Sequence, residues 1–195
     1  MSFRPQQVNG QSVTNYKDKL LYSSAVIGSA QDTEAVIFDY KRGKKPGGDN
    51  NEDITSDYRH ANGTDGGNMN ERDWMDVVSI AVEFPTDVAV TPIQQCMDRL
   101  YLKIFSGGDH ELFGGLARHF PAGTGLLAET TQTAKEYLNN GALGANQRLK
   151  LSVPIRLEPG QPYRAELWNQ GGALATAAVD TIVRVMYRGP GASGV

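Results

Sequence analysis

One cysteine, three histidines and a scatter of carboxylates are the side chains of this 195-residue chain that could carry covalent or acid–base chemistry. Nucleophilic catalysis needs a thiol or hydroxyl beside a base that a third group orients. Cys96 falls in a short helical stretch next to Met97, where it reads as an apolar position and not as an activated thiol. The only histidines are His60, His110 and His119, and no Gly-x-Ser-x-Gly elbow occurs. For metal, the segment from Asp49 to Asp57 alternates oxygen-bearing side chains as a calcium loop would. An EF-hand requires glycine at its sixth position and glutamate at its twelfth, and Ile54 and His60 stand there instead. Asp109, His110 and Glu111 are adjacent, but neighbours in an extended chain point to opposite faces. No metal, catalytic or cofactor site is therefore assigned.

Phosphate chemistry is equally thin. Gly107-Gly108, Gly114-Gly115 and Gly123-Thr124-Gly125 lack the Walker spacing and read as turns. Lys41, Arg42, Lys44 and Lys45 form one basic cluster, suited to a solvated loop or to contact with phosphate or an acidic neighbour. Asn62-Gly63-Thr64 has the form of a glycosylation sequon, but the first ten residues carry no secretory leader. Glu83, Glu158 and Glu166 lie on or beside strands; glycoside hydrolysis would need two of them facing across a cleft. Trp74, Trp168, Tyr163 and Tyr187 could stack on sugar faces, although tryptophans and tyrosines on strands ordinarily fill cores.

The elements that would position these groups are short and extended. Hydrophobic residues make up 39% and charged residues 21%, an ordinary globular balance that needs no disulfide or metal for stability. A net charge of −3 gives no field toward nucleic acid, which is disfavoured as the main partner. No apolar run is long enough to span a membrane as a helix. Twenty-two glycines and nine prolines imply many turns.

Leu20 to Ile27 and Ala35 to Tyr40 read as strands around the turn composition Gly28 to Asp32. Lys41 to Arg72 is so polar that it reads as a long loop. Val77 to Phe84 alternates, with Val78, Ile80, Val82 and Phe84 assigned to one face. Thr91-Pro92 opens a helix through Arg99, and Leu100 to Phe105 is the next strand. Ala128 to Asn140 has a helical pattern ended by Gly141. Leu149 to Leu157 alternates, placing Leu151, Val153 and Ile155 on one face, and Pro154 marks an edge strand. Tyr163 to Trp168 and Thr181 to Tyr187 complete an all-β, antiparallel sandwich or barrel with one or two short helices in loops. The expected organisation is an N-terminal arm over 1–19, the β body over 20–188, and a tail over 189–195.

The layout of LLYSSAVIGSA at 20–30, a long loop containing Asn68-Met69, Trp74 leading into VVSIAVEF, then VPIRLEPGQPYRAELW at 153–168 and TIVRVMYRGPGASGV at 181–195, resembles small jelly-roll virion proteins of bacteriophages. That resemblance implies a jelly-roll-like β-sandwich and a structural role: a shell, vertex or decoration subunit of the virion, which the leaderless reading of residues 1–10 would have made in the host cytoplasm. Its partners would be copies of itself and other capsid subunits, with no membrane. The alternative on the same kind of sandwich is a carbohydrate-binding or adhesion module making glycan or host-surface contacts.

Overall fold

A computed structural model of the chain describes residues 7–8, 11–12, 15–27, 34–38, 67–84, 90–108, 110–121, 149–174 and 182–193. Ten strands, one α-helix and one 3₁₀ turn occur among them. β1 (Gln7–Val8) and β2 (Gln11–Ser12) form a two-stranded ladder of their own. The remaining eight are β3 (Asn15–Val26), β4 (Glu34–Ile37), β5 (Asp73–Glu83), β6 (Leu100–Ser106), β7 (Glu111–Leu116), β8 (Leu149–Leu157), β9 (Tyr163–Asn169) and β10 (Ile182–Ser193). They build two four-stranded antiparallel sheets, ordered β3-β10-β5-β8 and β4-β9-β6-β7.

The chain is thus an all-β antiparallel sandwich. Its connectivity follows a rule. The first of the eight strands pairs with the last, the second with the seventh, the third with the sixth and the fourth with the fifth. Apart from β6 to β7, every step along the chain crosses from one sheet to the other. The pattern is that of one long hairpin rolled on itself, and it leaves each sheet with two edges.

Alternation explains the interior. On β10, Val183, Val185 and Tyr187 are buried while Arg184 and Arg188 point away, and Val185 and Tyr187 sit opposite Val82 and Ile80 of β5. On the second sheet, β9 buries Tyr163, Ala165 and Leu167, and β6 buries Leu100, Leu102 and Ile104. These rows meet in one apolar cluster, where each fully buried aliphatic or aromatic side chain contributes about 1.5–3 kcal/mol. Phe38 ties the sheets together: its ring lies 4.6 Å from Tyr187 of the first sheet and 5.3 Å from Tyr163 of the second. To reach that place its backbone adopts φ +72°, an uncommon conformation for a phenylalanine. α1 (Val90–Arg99) adds Ile93 and Cys96 to the same cluster. It starts at Val90, so Thr91 lies inside the helix and not at its cap.

The structure corrects several sequence expectations. β5 begins at Asp73, and its core face is Met75, Val77, Ile80, Val82 and Phe84; Val78 is not buried. The reason is a bulge. Between Met75 and Ser79, β5 carries one more residue than β10 does between Gly191 and Arg188, so the alternation resets. β8 departs further: Ser152, Val153 and Pro154 are extruded where Val77 and Ser79 pair with Ile155 and Lys150. Val153, expected to face inward, is 78% exposed, whereas Pro154 does lie on an edge strand.

Gly114 and Gly115, read as a turn, lie inside β7, while Gly107 and Gly108 do make a turn, with φ of +75° and +121°. The strands also run past the expected body. Asn15 to Lys19 and Gly189 to Ser193 pair with each other in an unbroken register, so β3 and β10 extend into what was read as arm and tail. Met69, assigned to the long loop, is buried, and its amide donates to the Gln161 carbonyl at 3.1 Å. The helix expected over 128–140, the turn over 28–32 and most of the 41–72 loop lie outside the described residues.

The β5 bulge depends on Gly189. A Cβ there would collide with the backbone carbonyl of Asp76 and approach the Val78 nitrogen at 3.1 Å. Gly189→Ala is therefore expected to destabilise the fold by about 3 kcal/mol or more, measured as a drop in the denaturant midpoint at unchanged slope.

Candidate interaction surfaces

The outer faces of both sheets, not a cleft, gather most of the polar chemistry among the described residues. On the first sheet, the Arg156 guanidinium lies 3.8 Å from the centre of the Trp74 ring, and its Nη1 donates to both Asp76 oxygens at 3.0 and 3.1 Å. Its Nε donates to Glu158 at 3.2 Å. Arg184 donates to Glu83 at 2.7 Å and stands 5.3 Å from the Tyr22 ring. On the second sheet, Arg164 covers Phe105 at 4.2 Å and donates to Glu166 at 2.8 Å. Lys103 sits 4.6 Å over Trp168 and donates to Glu34 at 3.1 Å. Each of these four cations thus joins an aromatic face to a carboxylate, which shields strand-borne aromatic surface without exposing an unpaired charge.

These pairs fix the fate of the predicted candidates. Glu83 and Glu166 stand on the outer faces of different sheets with the core between them, and Glu158 follows β8; all three are bound by arginines. They do not form the facing pair that glycoside hydrolysis requires. Of the four rings considered as sugar platforms, Tyr163 and Tyr187 are buried beside Phe38, and Trp74 is buried beneath Arg156. Trp168 alone is half-buried on an outer face.

Cys96 is fully buried, and burial pushes its thiol up to about 12 against the smaller opposing effect of Arg99. A thiol so placed is a poor nucleophile. His110 and His119 are exposed, and no cluster of three His, Cys, Asp or Glu residues able to hold a metal occurs among the described residues. His60, Asp109, the 49–57 segment, Lys41 to Lys45 and Asn62 to Thr64 lie outside those residues. No helix there is long and apolar enough to cross a membrane.

A cleft of about 190 Å³ opens between Val36, Phe38, Gly67, Asn68, Gly108, Pro162, Tyr163 and Arg164. It forms where the Gly67 to Met69 segment and the β6–β7 turn both bond to the chain entering β9: the Tyr163 amide donates to the Gly67 carbonyl at 2.6 Å, and the Gly107 amide to the Pro162 carbonyl at 2.9 Å. At the far end of the first sheet, Lys19 donates to the Ala192 carbonyl at 2.7 Å and lies 3.4 Å from Asp73. Burial lowers its pKa below the ordinary lysine value, and Asp73 offsets part of that. This contact clamps the start of β3 to the end of β10.

The cation–aromatic pairs were not anticipated. The i, i+2 spacing of Arg156 with Glu158 and of Arg164 with Glu166 signals an outward strand face, but the rings come from other strands. Neither a scan against protein-family models nor searches of curated proteins and of solved structures finds a match to the chain.

The burial of Cys96 predicts its reactivity. In the native protein at pH 8, a thiol reagent should label it more than about 100-fold slower than a free cysteine, and unfolding in denaturant should restore the full rate. Fast labelling of the folded chain would contradict the placement of α1.

Proposed function

We propose that the chain is a jelly-roll structural subunit of a bacteriophage virion, acting by association with copies of itself and with other capsid subunits and not by catalysis. The observation that carries this reading is the strand order: two four-stranded sheets whose strands pair first with last, second with seventh, third with sixth and fourth with fifth. Double-sheet jelly rolls built of two Greek keys share that eight-strand arrangement and are frequent in viral capsid proteins. Fold alone is an analogy. The layout along the sequence and the chemistry of the surface add to it.

That chemistry favours contact over turnover. The four cation–aromatic pairs among the described residues are each closed by a carboxylate, and the carboxylates read as catalytic candidates are held by arginines. A subunit of this kind offers rigid, charge-patterned outer faces and sheet edges to neighbours. β1 and β2 pair with each other and with neither four-stranded sheet, and the reading gives the chain ahead of β3 the role of contacting an adjacent subunit. Of the four rings the glycan-binding alternative relies on, one, Trp168, is half-buried beneath a lysine and the other three are buried.

The test is the native mass of the purified chain, by light scattering across a range of concentrations and salt. Oligomers or particles are expected, and removal of residues 1–14 should shift them toward monomer while the far-UV circular dichroism stays β-rich. A chain that remains monomeric under every condition, alone and with the other subunits of its particle, would overturn the reading.

A further inference from the structure

We infer that β7 is a self-pairing edge: two copies of the chain join β7 to β7, antiparallel, about a two-fold axis at Gly114, and merge their second sheets into one of eight strands. This rests on the self-association proposed above and names the surface that performs it. The argument begins with the four sheet edges. An exposed edge strand is a template for another chain unless charges, prolines, bulges or shortness blunt it.

Three edges carry such devices. β3 has Lys17, Asp18 and Lys19 in succession, with Lys19 drawn toward Asp73 and the Ala192 carbonyl. β8 extrudes Ser152 to Pro154, a proline within a three-residue bulge. β4 has only four residues, and it opens with Glu34, bound by Lys103. β7 differs. It too opens with an exposed carboxylate, Glu111, but from Leu112 to Leu116 it has neither charge nor proline, and Leu112 and Phe113 are 44% and 38% exposed. Its irregularity is at one end: Leu112 is the extra residue where Ile104 and Phe105 pair with Phe113 and Glu111.

The register follows from the pleat. Residues opposite each other in an antiparallel pair share a face, so a two-fold axis through the joined edge must fall on a residue and not between two. An axis at Gly114 sets Gly114 against itself, Phe113 against the second copy's Gly115, and Leu116 against its Leu112. Every position from Phe113 to Gly115 then has a partner, and Leu116 falls beside the bulged Leu112. An axis at Phe113 would oppose the two phenylalanines, and one at Gly115 would push Phe113 past the strand end onto Ala117.

The Gly114 register places a bulky ring over a residue without a side chain, an arrangement that rescues glycine in strands. The ring would also find aromatic company. Phe120 lies 3.3 Å from where a Gly115 Cβ would be and already packs edge-on against Phe113 at 5.7 Å. Isologous contacts of this type bury the same patch twice. Glycines within a strand otherwise weaken it, and they are common where another backbone approaches closely.

Two variants of the full chain test the register, read by sedimentation and by non-reducing gel. Leu112→Lys puts a charge on the exposed bulge of the edge and should weaken self-association by about tenfold or more, while Val153→Lys, on the blunted β8 edge, leaves it unchanged. Gly114→Cys meets only the outer ends of the Tyr101 and Glu111 side chains, which can turn aside. It should form a disulfide-linked dimer under mild oxidation, because directly opposed Cα atoms about 5 Å apart suit that bond. Val153→Cys should not link at the same concentration. If wild-type chain associates but Leu112→Lys associates equally well, or Gly114→Cys links no faster than Val153→Cys, this edge is not the interface and the self-association reading stands. If no variant and no wild-type chain associates, both fall.

Discussion

Everything in the sandwich hangs on β10, the one strand that pairs along its length with both β3 and β5. It brings the last residues of the chain into the middle of the first sheet, between the first long strand and the third. Its inward residues Val183, Val185 and Tyr187 face the second sheet, and its outward Arg184 and Arg188 hold Glu83 of β5 and Asp18 of β3. Packing inside and ion pairs outside therefore act on the same strand. Its final turn toward Ser193 is possible because Gly189 and Gly191 let the β5 backbone and the Lys19 stem come close.

That same contact accounts for what the sequence made legible and what it hid. Two-residue alternation marks β10, β9 and β6 clearly, because each has one face in the core and one outside. On β5 the alternation misleads by one residue at Val78, since the bulge is created by how β10 pairs across from it and not by any local composition. Val153 fails for a related reason: its strand pattern is regular, but β8 pairs only at its ends. Gly114 and Gly115 look like a turn because glycine is the usual signature of one. They are instead strand positions over which Tyr101 and Phe120 lie. The cation–aromatic pairs join Trp74 to Arg156 and Phe105 to Arg164 across strands distant in sequence, so no window along the chain contains both partners.

The surface and the fold point the same way. A sheet with free edges is ordinarily a hazard; among the described residues three of the four edges are blunted by charge, shortness or a proline bulge, and β7, whose one charge and one bulge lie at its Glu111–Leu112 end, is the place where a second copy would meet the least resistance. On the outer faces, aromatic rings lie under cations that are themselves paired to carboxylates. A buried Cys96 and carboxylates held by arginines are compatible with the structural role proposed above.

Amide hydrogen exchange in the native chain measures the central role of β10 most directly. Backbone amides of Val183 to Tyr187, together with their partners in β5, should exchange only on global unfolding and be the slowest in the molecule. The edge strands β8 and β4 should exchange orders of magnitude faster through local opening. If the β10 amides exchange as fast as those of β8, the last strand is not the centre of the sheet and the account fails at its root.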